Sequence, residues 1–559
     1  MRKRKISGKP DKAPFTDRVT HFFRKNHQPI LWTVFAIYVV CSFLTFNLRI
    51  SEGGDDSTYI IRALELLEQG NFPKYQGPLY PMVLAGFMSL TGASITFLKF
   101  TSWIFLTLAI VFIYKAYRKH ISPVVLWGTI LVLVVNHHFL YFGSQTYSEA
   151  FFILLQGLLF LFLFRINQSA THDRVKIRQT LLIGFLLFLL TLTRTVAIAA
   201  LPAIVVFWFL KRQNRAALTT ILFFVLFIVL FAGIRTWLTG DPFHGDKQMN
   251  TLIWEDPYDP SEGMETFGGF FERFAGNSNI YLSKYLPILT GFKPALSLSK
   301  NALITILLYA WFLIGFIRFL KKKHDPLLLT GLYIAFMCGA TFFALQTMWD
   351  QVRLIIPFFP LMLIFLGETI ASFTRESQHG WKQKIPLLLF GLSILLITAQ
   401  TVRQTDFNSV FKNISGDRYY GYTPDWQNYL KMAEYTAENL PDNTYVACRK
   451  PNMARLYGDF KKFYGIYRFQ TQNADSLLNR LYQRGVTHVI VGSLRKNPRQ
   501  NTGQVINTIH RYLRHIADEY PNIIKPVRKT GKQEPAWLFE INYNNWPKRP
   551  ERDTPETEK

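Results

Sequence analysis

Long apolar runs recur along this chain. Ile30–Asn47, Ala217–Trp237 and Ile385–Thr401 each match the length a helix needs to cross a bilayer, roughly 17–25 residues. Inside hydrocarbon every backbone N–H and C=O must be satisfied within the segment, so such runs are read as helices. The chain is 49% hydrophobic and 16% aromatic over 559 residues, so the runs are not isolated. These features predict a polytopic α-helical membrane protein.

The formal net charge is +26. The bases are spread over many short loops rather than gathered on one face, so no nucleic-acid partner is expected. Basic stretches follow alternate runs: 1–28, Lys115–His120, Arg165–Gln179, Lys211–Arg215, Lys321–His324 and Arg375–Lys384. Loops of this kind favour the cytoplasmic side, which gives about eleven spans with the C-terminus outside. Leu181–Leu210 is then a hairpin of two short arms with Arg194 near its tip. One long span there would put two basic loops outside. Leu79–Leu90 is too short to cross and is expected at the outer surface. The first run has no small-residue cleavage site after it and reads as a retained span.

The expected organisation is a cytoplasmic segment 1–28 and a membrane domain 29–401, followed by a soluble α/β domain 402–545. A charged, Pro-rich tail 546–559 is expected to be disordered. The membrane domain has a first outer loop 49–96 and a long outer loop 238–298. Thr423-Pro-Asp-Trp opens a helical pattern that runs to Asn439, and β-rich runs lie at Tyr445–Cys448, Thr487–Val491 and Ala536–Ile541. The outer side of a bacterial inner membrane would place the last domain in the periplasm. Cys41, Cys338 and Cys448 are far apart and form neither a metal motif nor a disulfide framework.

With this topology the unusual polar residues collect on one side. Asp55 and Asp56 begin the first outer loop, Glu149 opens the fourth span, Arg194 marks the hairpin tip and Arg353 opens the tenth span. Asp241, Glu255 and Asp256 add acids in the long loop, whose Trp254, Tyr258, Phe267 and Phe270–Phe271 suit interfacial anchoring. Tyr59, Ala63, Leu66 and Leu67 form a helical stripe after the acid pair, which would hold that helix on the membrane surface. Tyr59, Tyr80 and His138 are candidate substrate-pocket residues. Asp55 and Asp56 would also serve as helix N-terminal acids, a purely structural role. Carboxylates at a bilayer surface suit general-base work on a hydroxyl, and arginines suit a phosphate through bidentate hydrogen bonds. Together they point to group transfer from a membrane-embedded, phospholipid-like donor. No Walker loop or dinucleotide fingerprint is present, so the energy would come with the donor. No cofactor is assigned from the sequence; a divalent metal stays open, and no motif indicates one.

Several short motifs, in order, resemble the GT-C superfamily of integral-membrane glycosyltransferases. The similarity is to the branch of protein O-mannosyltransferases and the lipid A aminoarabinose transferase. The motifs are Asp55-Asp56-Ser-Thr-Tyr59, Gly77-Pro-Leu-Tyr-Pro81, Ser148-Glu149, Thr193-Arg194 in a Leu-rich hairpin ending at Pro202, and Arg353 before Leu-Ile-Ile-Pro357. The resemblance implies an inverting transferase with a polyprenyl-phosphate sugar donor and a hydroxyl or phosphate acceptor on a lipid, glycan or protein. It places the base on Asp55, with adjacent Asp56 as the alternative catalytic acid, a second acid on Glu149, and the donor phosphate on Arg194 and Arg353. The lipid A branch often has a Lys before its Pro-Pro-Leu element. Gln76-Gly77 stands there in this chain, with Lys74 as the available substitute. A lipid-linked glycan transporter is the rival class, but it would carry internal repeats and midplane charges. An oligosaccharide ligase or polymerase is the enzymatic alternative, without need of the early acid pair.

Overall fold

A computed structural model describes residues 15–74, 77–169, 175–240, 252–257, 262–377, 381–467, 471–495 and 505–550. Gln76, Asp241 and Tyr258, singled out in the sequence, lie outside the described residues, as do 1–14 and 551–559. The chain divides into two compact units. One is Met1–Asn47 with Arg62–Val410, and the other is Leu48–Ile61 with Phe411–Lys559.

The first unit is helical, and each expected span meets a helix. Among the described residues, seven helices have the length and apolarity to cross a membrane: His27–Leu44, Ile95–Tyr117, Ser148–Asn167, Asn214–Thr239, Ala302–Lys321, Asp325–Ala344 and Lys382–Gln404. Pro123–Val134, Ile177–Thr193, Thr195–Leu210 and Phe359–Arg375 are shorter. Local chemistry sets several starts. The side chains of Ser94, Ser122 and Asn301 accept hydrogen bonds from first-turn N–H groups, and Pro123 occupies a position where its missing N–H costs nothing.

The hairpin expected around Arg194 is present. Phe185 packs on Phe227, and Phe188 on Phe227 and Phe231, so the first arm runs in the same direction as Asn214–Thr239. The second arm, Ala200–Leu210, enters that helix through a short reversal in which Arg212 adopts a positive φ. The two arms are therefore antiparallel.

Two expectations need correction here. Among its described residues, the long outer loop 238–298 contains a continuous helical stretch. Phe267–Ser278 continues into a π-helical turn, Asn279–Tyr285, and on into Leu286–Leu289. The stripe after the acid pair does not lie on one lipid-facing side. Tyr59 and Ala63 are buried, as are Ile60, Ile61 and Leu64, while Leu67 is exposed.

The second unit carries a five-stranded mixed sheet. Its strands are β1 (Tyr445–Cys448), β2 (Phe463–Gly465), β3 (Val486–Val491), β4 (Ile524–Thr530) and β5 (Ala536–Ile541), in the order β2-β1-β3-β5-β4. β1 runs parallel to β2 and β3, and β5 antiparallel to β3 and β4. Helices Ala474–Gln483 and Ile509–Glu519 pack Leu477, Leu481, Leu513 and Ile516 into a core with Val486 and Val489. Trp546 belongs to this core, and Lys548 pairs with Asp475 at 2.7 Å. The expectation of disorder thus starts too early, because an apolar ring anchors the first residues of the tail.

Candidate functional site

The membrane unit brings Glu149, Arg194 and Arg353 together. Glu149 is in the first turn of Ser148–Ser169, where an acid is favoured by the helix dipole. Its Oε1 lies 2.7 Å from Arg194 Nη1 and 3.8 Å from Arg353 Nε. The carboxylate side chain is only 2% exposed, against 17% and 23% for the arginines, so the acid is at the bottom of the cluster and the cations are nearer its surface. A buried charge of this kind persists only with partners.

The break in the hairpin explains how Arg194 reaches it. Helix Ile177–Thr193 ends there with extended backbone, φ −146° and ψ 120°, and a 3₁₀ turn, Thr195–Ala199, follows. The Gly77-Pro-Leu-Tyr-Pro81 element meets this break directly. A Cβ on Gly77 would lie 2.3 Å from the Thr193 carbonyl oxygen and 2.4 Å from that of Leu192. Only glycine lets these backbones approach so closely.

Arg353 is in a 3₁₀ turn, Val352–Leu354, rather than opening a span, since the following helix starts at Phe359. Its guanidinium lies 5.2 Å from the Tyr147 ring centroid, within cation–π range. Neighbouring Asp350 pairs with Lys284 at 2.7 Å, and the Tyr285 hydroxyl donates to the Asp350 carbonyl at 2.9 Å. Both partners come from the π-helical turn, a distortion often found at functional sites. Asp350 Oδ1 is buried without a hydrogen-bond partner among the described residues.

Sequence reading missed Lys284 and Asp350, and also Lys99. Lys99 is fully buried within Ile95–Tyr117. It donates to the Ser144 carbonyl at 3.0 Å and to Gln145 Oε1 at 2.7 Å, at the start of the buried strip that leads to Glu149. A lysine inside an apolar span was the available signal.

The remaining candidates of this unit fall elsewhere. Tyr80 is fully buried, with its hydroxyl 3.2 Å from Ser102 Oγ and its ring against Phe151. It is a core residue and not a pocket wall. Lys74 is exposed. The His138 ring lies against that of His137 in a tilted arrangement; the His137 backbone N–H donates to Thr401 Oγ1, and the His138 N–H donates to Asn136 Oδ1. This pair shapes a turn. Among the described residues no group of three or more His, Cys, Asp or Glu is placed to hold a metal ion.

Asp55, Asp56 and Tyr59 belong to the second unit. Asp56 is fully buried and accepts from Ser51 N (2.8 Å), Ser51 Oγ (3.1 Å) and Ser57 N (2.8 Å). The sequence grouped it with the catalytic acids, but its carboxylate is occupied in closing the loop. Asp55 is half-buried and begins the helix Asp55–Gln69, directly after Gly54 with φ +87°. Tyr59 is buried one turn later.

No family model and no curated protein matches this sequence. Solved structures do. ArnT from Cupriavidus metallidurans bound to undecaprenyl phosphate superposes with a TM-score of 0.55 at 11% identity, covering 91% of this chain and 97% of that one. Its apo state gives 0.54 at 13% identity, covering 92% and 98%. The archaeal oligosaccharyltransferase AglB from Archaeoglobus fulgidus, in complex with an inhibitory peptide and a dolichol-phosphate, gives 0.53 at 12% identity, covering 96% and 75%. At these identities the likeness is one of fold: this chain shares the fold of the ArnT and AglB structures.

Proposed function

We propose that this protein is an inverting glycosyltransferase that moves a sugar from a polyprenyl-phosphate donor to a hydroxyl acceptor at the outer face of a bacterial inner membrane. The observation that carries the reading is the buried cluster of Glu149, Arg194 and Arg353 in a membrane unit with the GT-C fold. Two guanidiniums offer fork-shaped donors that match a phosphate, and the apolar helices around them suit a lipid chain. The ArnT structure was obtained with undecaprenyl phosphate, which supports the same donor class here.

In the proposed reaction Asp55 takes the proton of the acceptor hydroxyl as its oxygen attacks the anomeric carbon. The bond from that carbon to the phosphate oxygen breaks, and the leaving phosphate gains charge. Arg194 and Arg353 stabilise that charge, which is where fixed cations act most strongly. Asp56 holds the loop, and its occupied carboxylate is why Asp55 is assigned as the base. Glu149 orients the arginines. Asp350 Oδ1 is an open acceptor for a sugar hydroxyl. The acceptor is a lipid, glycan or protein, and the C-terminal unit is periplasmic.

Undecaprenyl phosphate binding to the purified protein in nanodiscs tests the reading. Arg194→Ala and Arg353→Ala should each weaken it about 10- to 100-fold, the loss of one to two charge-assisted hydrogen bonds. Unchanged binding in both variants would remove the phosphate role.

A further inference from the structure

The C-terminal unit touches the acid loop through one exceptional lysine. Lys450 follows β1 and precedes the helix Pro451–Tyr457. Its backbone N–H donates to the hydroxyl of the fully buried Tyr429 at 3.0 Å, so its side chain starts from a fixed point. Its Nζ donates to the Gly53 carbonyl at 3.0 Å. The same Nζ would lie 3.3 Å from a Cβ on Gly54, so the ammonium rests on the Gly53–Gly54 turn itself. Asp55 is the next residue.

Two more ties hold the loop to the same unit. Asn452 Nδ2 donates to Thr58 Oγ1 at 3.0 Å, and the Tyr422 hydroxyl donates to the Ile50 carbonyl. The Arg49 guanidinium lies over the Tyr422 ring at 5.0 Å. A short loop bearing a buried Asp56 does not require a lysine from 397 residues away to close; its own serines do that. The lysine instead brings a positive charge to the foot of Asp55.

We infer that Lys450 is a positioning residue for Asp55, its ammonium fixing the Gly53–Gly54 turn that presents this acid. The inference rests on the proposed role of Asp55 as base. Four charged groups face the ammonium: Arg449 opposes its charge, and Asp55, Asp56 and Glu52 favour it. Burial and then Arg449 outweigh the three acids and bring the lysine down to about 8. The cation is present below that pH and lost above it. The stability effect has the opposite sign. The unfolded chain holds this proton up to the ordinary lysine range, so raising pH from about 8 towards 10 stabilises the fold through this group. A loss of activity there is therefore not unfolding through this group.

The test is transfer kinetics of the full-length protein in nanodiscs against pH. Wild type should lose kcat as pH rises through about 8, with the donor KM little changed. Lys450→Arg keeps the charge and should retain most activity while moving the alkaline limb upward. Lys450→Met should lose tenfold or more in kcat. Asn452→Ala, which removes a neutral tie to the same loop, should leave the position of the limb unchanged. If Asp55→Asn is inactive but Lys450→Met and Lys450→Arg both keep the wild-type kcat and pH profile, the positioning role is wrong. If Asp55→Asn is active, the base assignment itself fails, and the inference with it.

Discussion

Gly77→Ala offers a sharp test of how the phosphate cluster is built. The added Cβ would lie 2.3 Å from the Thr193 carbonyl oxygen, where real contacts stop near 3.0 Å. The obstructing atoms are backbone, so one segment must move by about 0.7 Å or more, and overpacking of this kind costs about 1–3 kcal/mol. The next residue along the obstructing chain is Arg194. Its guanidinium contacts Glu149 at 2.7 Å, so a shift of that size stretches the contact to about 3.4 Å, past the usual range for a strong hydrogen bond. If that cost falls on the binding geometry, the affinity for undecaprenyl phosphate should drop about 10- to 100-fold, at roughly 1.4 kcal/mol per decade. Equilibrium binding in nanodiscs measures this directly. Gly86→Ala is the matched control, because nothing lies within 4 Å of its added Cβ and it sits inside the helix Leu79–Thr91. It should bind normally and be slightly more stable, since alanine favours a helix by about 1 kcal/mol over glycine. Equal binding by the two variants would refute the claim that the glycine packing sets the position of Arg194.

Asp55→Asn should abolish transfer without changing thermal stability, whereas Asp56→Asn should lower stability by about 1.5–3 kcal/mol by weakening charged hydrogen bonds. A thermal melt beside a transfer assay separates them, and a stable, inactive Asp56→Asn with an active Asp55→Asn would reverse the assignment. Glu149→Gln removes the anion that competes for Arg194 and Arg353, so undecaprenyl phosphate should bind more tightly while transfer falls. Weaker binding would show that the carboxylate is needed to shape the site. A Glu438→Cys variant should react with a membrane-impermeant maleimide applied to spheroplasts, and protection there would overturn the proposed orientation.

The membrane unit was legible because its constraint is local. A run of apolar residues long enough to cross a bilayer has one backbone solution, and Arg194 inside such a run announced the break at which the hairpin turns. In the C-terminal unit β1 and β5 were read at the right residues for the same reason, since β-branched and aromatic residues are dense there. β4 was missed. Its sequence Ile-Lys-Pro-Val-Arg-Lys-Thr is charged, contains a proline and is mostly exposed, as suits the edge of a sheet. β2, only three residues long, has no pattern to read.

The acids and arginines could be named from their residue types, but their roles could not. Adjacent Asp55 and Asp56 look equivalent in sequence. Burial and three hydrogen bonds assign one to the loop and leave the other half-exposed at the helix start. Lys284 meets Asp350 across 66 residues, Lys99 meets Gln145 across 46, and Lys450 meets Gly53 across 397. Contacts so distant along the chain leave no periodicity or spacing to detect. Composition and pattern therefore determined that this chain crosses a membrane, where it breaks and which charges are unusual. Which charges meet was decided by tertiary packing alone, because a buried ion pair needs its partner in space and not in sequence.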